Sequence, residues 1–362
     1  MGKISYFCNV IKPLNKISTR MKKLFCTLLM AIGVICVAAQ EKSLVNLQLE
    51  TRMDYQREYL DGDAVLPNSG FKGKYLNVML NGTINEHWSY SYRQRLNKAH
   101  ADASFFDATD WIHITYKMND NWSFNAGKQV VGIGGYEYDR APIDLYFCSE
   151  YWNNIPCYQL GVSTTYTTNQ GNDSFLAQVC ESPFNFKNED LYAYNLMWYG
   201  SHGWFNAIWS VNAQEYAPGE FIYYVALGNE FKMGNAKLQL DFMNRATDDH
   251  AFFLKDCSVM GELSYLINNK LNVFGRMTYD VNKTNSVGDL CVLPGTELTR
   301  VGAGLEYYPL KDGNRNLRFH LYACQAFGKN GNPAGTMLPE QTFVDLGVKF
   351  KVDILSLTNK IF

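Results

Sequence analysis

Leu44-Val45-Asn46-Leu47-Gln48-Leu49-Glu50-Thr51-Arg52-Met53-Asp54-Tyr55 places Val45, Leu47, Leu49, Thr51, Met53 and Tyr55 on one face of an extended chain and Asn46, Gln48, Glu50, Arg52 and Asp54 on the other. One face suits an apolar medium, the other suits water. The same device recurs to Phe362 in stretches of roughly nine to eleven residues separated by polar turns. A soluble β-sandwich alternates in the same way, so a single stretch decides nothing. The number of copies, the placement of aromatics and an export signal decide it.

Lys74 to Ile84 sets Leu76, Val78, Leu80 and Ile84 outward, with Tyr75, Asn77, Met79 and Asn81 inward. Trp88 to Leu96 alternates Trp88, Tyr90, Tyr92 and Leu96 with Ser89, Ser91, Arg93 and Arg95, so the two arginines project together. Further copies cover 108–116, the residues from 122, 158–166, 175–180, 192–198, 204–214, 221–231, 237–245, 257–266, 271–281, 297–307, 317–325 and 342–352. The pattern predicts an all-β fold: a transmembrane antiparallel β-barrel of about 16 strands, wide enough to hold water. Tight turns at 85–87, 118–121, 200–203, 233–235, 268–270 and 311–314 fall at every second junction, as in bacterial barrels with short periplasmic turns and longer external loops. Trp88, Trp122 and Trp204 restart strands just after such turns, where an interfacial belt requires aromatics.

Aromatics make up 15% of the chain and charged residues only 19%, which fits a wall that is apolar on one side only. Met21-Lys22-Lys23, the apolar run Leu24 to Val37 and the small residues Val37-Ala38-Ala39 read as an export signal. The expected organisation is therefore a signal region over 1–39, with its functional start at Met21 and cleavage near Ala39, followed by a single barrel domain over 40–362. Residues 1–39 carry six of the 33 Lys and Arg and none of the 35 Asp and Glu. What remains is acidic, which argues against nucleic acid as a partner. No later run approaches the roughly 20 apolar residues of a spanning helix. An exported chain that enters a membrane must then do so as a closed barrel, which points to the outer membrane of a Gram-negative bacterium and to its lipid as a partner.

Cys148, Cys157, Cys180, Cys257, Cys291 and Cys324 show no CxxC and no Cys/His spacing, so no metal site and no cofactor are implied. Cys148 and Cys157 flank part of one long loop, where an oxidising compartment permits a disulfide. Cys257 falls on the outward phase and Cys324 on the inward phase. The six histidines are scattered and none accompanies a recognisable nucleophile motif, so the chain is not read as an enzyme.

The inward phase gathers Arg93, Arg95, Arg245, Arg276, Arg300, Arg318, Lys349 and Lys351, against Glu50, Asp54, Asp241, Glu262, Asp280, Glu306 and Asp345. A lining of mixed sign gives a weakly selective, hydrated passage, unless its members pair across strands and only stiffen the wall. Val131 to Pro156 is too long for a hairpin and too aromatic for simple disorder. It is expected to fold inward as a constriction loop, with Glu137, Asp139 and Arg140 at the narrowing; an external cap or a subunit contact is the other use of such a loop. Gly132-Ile133-Gly134-Gly135 opens no helix in a βαβ setting, so it marks a bend and not a nucleotide site.

Asp107-Ala108-Thr109-Asp110-Trp111-Ile112-His113-Ile114-Thr115-Tyr116, with Trp122-Ser123-Phe124-Asn125-Ala126-Gly127-Lys128-Gln129-Val130-Val131-Gly132, resembles the phosphate-selective porin O/P family, in particular its Bacteroides-type members. The likeness is most specific over about residues 74 to 165. It implies a sixteen-stranded homotrimeric outer-membrane channel for small anions, with a basic ladder in the pore. Arg93, Arg95 and Lys128 match basic positions of that family, and the remaining strands give no full ladder. The expected function is passive diffusion of small anionic or neutral solutes with an anion preference. The alternative is a non-channel barrel serving as a structural or adhesive platform.

Overall fold

The computed structural model describes residues 45–98, 106–186, 190–248, 254–311, 313–333 and 338–355. The expected signal region lies outside them. Sixteen long antiparallel strands follow one another: β1 (Val45–Leu60), β2 (Gly70–Thr83), β3 (Trp88–Arg95), β4 (Thr109–Lys117), β5 (Trp122–Val130), β6 (Tyr158–Thr167), β7 (Asp173–Glu181), β8 (Tyr192–His202), β9 (Phe205–Ala217), β10 (Glu220–Met233), β11 (Ala236–Thr247), β12 (Asp256–Asn268), β13 (Leu271–Asn282), β14 (Glu297–Tyr307), β15 (Leu317–Lys329) and β16 (Gln341–Asp353). A two-residue strand, Asp63–Ala64, adds to β1 within the first hairpin. Each strand pairs with its sequence neighbours and β16 returns to β1, so that Arg52 faces Lys349 on one side and Tyr75 on the other. Closure leaves no edge, the one way a sheet satisfies its backbone where water is absent.

The alternation of the sequence becomes the alternation of exposure. Leu160, Val162, Leu196, Val211, Leu263 and Leu346 stand exposed on the outside, while Asp54, Asn195, Asn212, Gln239 and Glu262 are buried within. Trp88 lies 4.7 Å from Tyr116 and Trp122 4.9 Å from Tyr166, ring to ring, beside the tight turns. Among the described residues no helix is long and apolar enough to cross a membrane. The strands do the crossing.

The short junctions alternate with long ones as expected, with two exceptions. Pro218–Gly219, between β9 and β10, is a tight turn at the long-loop end, and residues 308–316, between β14 and β15, make a nine-residue junction at the short-turn end. A bulge between β3 and β4 leaves Asp110 without a ladder partner, since Arg93 faces Trp111 and Gln94 faces Thr109. The extra residue bends the strand and turns the Asp110 carboxylate onto Arg93 and Arg95, at 2.8 and 3.2 Å.

Residues 131–157 enter the barrel and pack there. Val131, Ile133, Tyr151 and Ile155 form an apolar cluster with Ile222, Tyr224, Ala226 and Met243 of the wall, and with Cys291 and Val292 of the loop between β13 and β14. Each large side chain taken fully out of water in this way contributes about 1.5–3 kcal/mol, which fixes the loop inside rather than above the mouth.

Candidate functional site

The loop lies flat on the wall because glycine lets it. A Cβ on Gly134 would stand 2.7 Å from the Ile208 carbonyl oxygen and 2.9 Å from the Ser210 nitrogen, and one on Gly228 would stand 2.7 Å from the Gly135 Cα. The Gly135 N–H donates to the Ile208 carbonyl at 3.1 Å and the Gly134 N–H to Ser210 Oγ at 2.8 Å. The four-residue glycine motif thus serves close backbone approach as much as a bend.

Two short helices punctuate the loop, α1 (Tyr136–Asp139) and α2 (Glu150–Asn154), and wall carboxylates receive both N-termini. Asp241 Oδ2 accepts the Glu137 N–H at 2.7 Å, and Asp280 accepts the N–H groups of Glu150 and Tyr151 at 2.7 and 3.3 Å. Ser149 caps α2 by accepting the Trp152 N–H at 3.1 Å. Opposite, Arg52 donates to the Leu145 carbonyl at 2.5 Å, and Asp144 Oδ1 accepts from Arg318 at 2.8 Å and from Lys349 at 2.6 Å. Burial works against the Asp144 charge, but Arg318 and Lys349 outweigh it and hold the carboxyl below its ordinary value.

Two chambers lie beside the loop, which is anchored at both sides. One, of about 470 Å³, is lined by Arg140, Lys237, Arg315, Arg318 and Lys349, together with Asp144, Glu262 and Glu306. Here Arg140 meets Glu262 at 2.8 Å, Arg318 meets Glu306 at 3.3 Å, and Arg315 lies over the Tyr308 ring at 4.3 Å. The lining itself carries more basic than acidic side chains, while Lys349 and Lys237 also reach Glu50 and Glu230 just beyond it, at 2.9 and 3.6 Å. The other chamber, of about 300 Å³, lies against β4 to β8 and carries mostly hydroxyls, amides and apolar atoms.

The residues singled out by sequence take different places. Arg318 and Lys349 line the charged chamber, with their side chains 6% and 13% exposed. Arg95 keeps 22% of its side chain in solvent beside Asp110, whereas Arg93 is buried over the Trp111 ring at 3.8 Å and donates to Tyr158. Arg245 is fully buried against Asp289 at 2.7 Å and Ser258 at 2.6 Å, and Arg276 is held by Glu137 and Glu262. Arg300 is buried and donates to Gln341 at 3.2 Å. These three stiffen the wall and its contact with the loop.

Lys128 corrects the reading. It stands opposite Ile112 and Leu160, both exposed on the outer surface, and so shares their outward phase. Its Nζ donates to the Phe106 carbonyl at 3.1 Å, tucked under the preceding loop and away from the lumen. The constriction trio also separates. Glu137 is buried with Arg276 and Ser149, Asp139 faces the 300 Å³ chamber and Arg140 the charged one. Arg140 has already left the helix in extended backbone, so its side chain departs from the direction of Asp139. No bridge joins Cys148 to Cys157: all six cysteines among the described residues are free thiols. Arg52, Asp144, Tyr146 and Arg315 escaped the sequence-based site. Arg52 has the right phase in β1, but a loop has no period from which the positions of Asp144 and Tyr146 can be read.

Residues 45–203 match the family model described as phosphate-selective porin O and P. No curated protein matches the chain in sequence. Among solved structures, the anion-selective porin from Comamonas acidovorans superposes at a TM-score of 0.63 with 14% identity, covering 86% of this chain and 100% of that one. The outer membrane channel DcaP of Acinetobacter baumannii gives 0.61 with 12% identity over 87% and 99%. The trimer form of OmpT from Vibrio cholerae gives 0.59 with 12% identity over 86% and 100%. At these identities the likeness establishes the fold, a sixteen-stranded barrel of the outer-membrane porin type.

Proposed function

Starting from a chain whose residues 45–203 match phosphate-selective porin O and P and whose barrel is that of the outer-membrane porins, we propose a passive outer-membrane channel for small hydrophilic solutes with a preference for anions. The observation that carries this reading is the charged chamber. Five basic side chains face three carboxylates around a space of about 470 Å³ beside the inserted loop. A fixed excess of positive charge at close quarters raises the local concentration of anions and lowers that of cations. The outer membrane is the location consistent with the fold, and residues 1–39 supply the cleaved export signal in this proposal. A homotrimer is the proposed assembly, in keeping with the trimer form of the Vibrio cholerae protein of the same fold.

A second reading has its own observation. The apolar cluster of the loop with Ile222, Tyr224 and Met243 fills part of the interior, as it would in a barrel serving only as a platform. Purified protein in a planar bilayer separates the two. Stepwise openings support the channel, and silence from well-folded protein supports the platform.

A further inference from the structure

Resting on the channel reading, we propose that the 300 Å³ chamber against β4 to β8 is a second solute site, selective for uncharged, hydroxyl-rich molecules of monosaccharide size. Its polar lining comes from His113, Thr115, Asn125, Ser163, Thr165 and Tyr199, and among the described residues no lysine or arginine lines it. Thr115 donates to Asn125 at 2.6 Å and Ser163 to Gln129 at 2.8 Å, so hydroxyls and amides are already aligned as a network along the wall. Gln129 Nε2 and His113 Nδ1 have no hydrogen-bond partner among the described residues. Both atoms are shielded from solvent, so the hydrogen-bonding capacity open to a guest is that of the hydroxyls and amides of the lining. Asp139 and Tyr199, hydrogen-bonded to each other, supply one carboxylate acceptor at the loop side, where burial raises the Asp139 carboxyl and Tyr199 opposes the rise.

Apolar Ile133, Leu176 and Met197 alternate with these groups in the same lining. A solute with hydroxyls on its rim and C–H faces between them matches such a surface. A phosphate or carboxylate does not, because it would be desolvated without a cation to meet it. A volume of 300 Å³ is the lower end of small-molecule sites, which limits the guest to about one sugar ring. Since Asp139 and Arg140 are adjacent in the chain yet face different chambers, the loop presents ions and neutral solutes with separate surfaces.

The test is liposome swelling with glucose, run beside bilayer reversal potentials on the same detergent-purified full chain. Thr115→Val keeps the side-chain shape and removes one hydroxyl. The loss of about one hydrogen bond, on the order of 1 kcal/mol, should weaken chamber occupancy by glucose roughly fivefold. Asn125→Leu with Ser163→Ala should reduce glucose flux further. In both cases the chloride-to-potassium preference should stay at the wild-type value, and Arg318→Gln should show the reverse pattern. Glucose flux that is unchanged in the chamber variants, or that falls only together with ion selectivity, overturns the second site while leaving the channel intact. A wild-type protein that conducts ions but admits no glucose overturns it as well. A protein that neither conducts nor swells liposomes sinks the channel reading and this one together.

Discussion

Replacing Asp144 with asparagine should strengthen anion preference, although the residue sits on a loop and, among the described residues, pairs with two cations. Its Oδ1 lies 2.8 Å from Arg318 and 2.6 Å from Lys349, on the wall of the charged chamber. The amide would leave those cations with one negative charge fewer to balance them. A unit charge about 5 Å from a passing ion contributes roughly 0.8 kcal/mol in water, and screening over a Debye length of about 10 Å lowers this to about 0.5 kcal/mol. That energy is about 2.3-fold in the occupancy of a monovalent ion, and because anions gain what cations lose, the permeability ratio should rise about fivefold. Arg318→Gln removes a positive charge from the same wall and should lower the ratio by about as much. Reversal potentials across a potassium chloride gradient read both changes, with heat-modifiable electrophoretic mobility confirming that each variant is folded. If two folded variants shift the potential in the same direction, or shift it not at all, the chamber is not on the ion path.

Other consequences follow from the same geometry. Because Arg318 and Lys349 hold the Asp144 carboxyl below its ordinary value, its negative charge persists as pH falls from 7 to about 4, so anion preference should stay flat over that range and rise only below it. In Asp144→Asn that low-pH rise in the reversal potentials should shrink, leaving only the part due to Glu262 and Glu306 of the same chamber. Gly134→Ala drives a Cβ into the backbone of Ile208 and Ser210, and the loop should lift at a cost of about 1–3 kcal/mol, read as a lower temperature for the heat-modifiable shift. Arg245→Gln strands the buried Asp289 carboxylate, and the loss should be about 3–5 kcal/mol of stability with no change in reversal potential. Lys128→Gln, on the outer phase, should leave ion preference at the wild-type value; a shift toward cations would place Lys128 in the pore after all.

The period-two pattern carries most of the fold. Starting from Trp122, alternation alone puts Phe124, Ala126 and Lys128 outward, and the structure agrees; the family resemblance, which matches Lys128 to a basic position, is the misleading guide there. Strand phase also assigns Arg318 and Lys349 to the interior. It is silent on partners that the inserted loop brings to the wall: Arg276 meets Glu137 over 139 positions of sequence and Lys349 meets Asp144 over 205. Residues 131–157 are legible as an inserted loop from their length and aromatic content. Which side chain faces which chamber is not, since irregular backbone has no fixed angle between successive side chains. The inward turn of Asp110 likewise depends on a one-residue bulge that shifts the register and that no local signal marks.

The central claim is that a barrel with an apolar outer face holds a hydrated passage whose fixed charge favours anions. Its most direct test is the reversal potential of the purified wild-type protein in a planar bilayer under a potassium chloride gradient. The account predicts discrete openings with a reversal potential displaced toward that of chloride. A displacement toward potassium, or a bilayer that stays silent over folded protein, contradicts it.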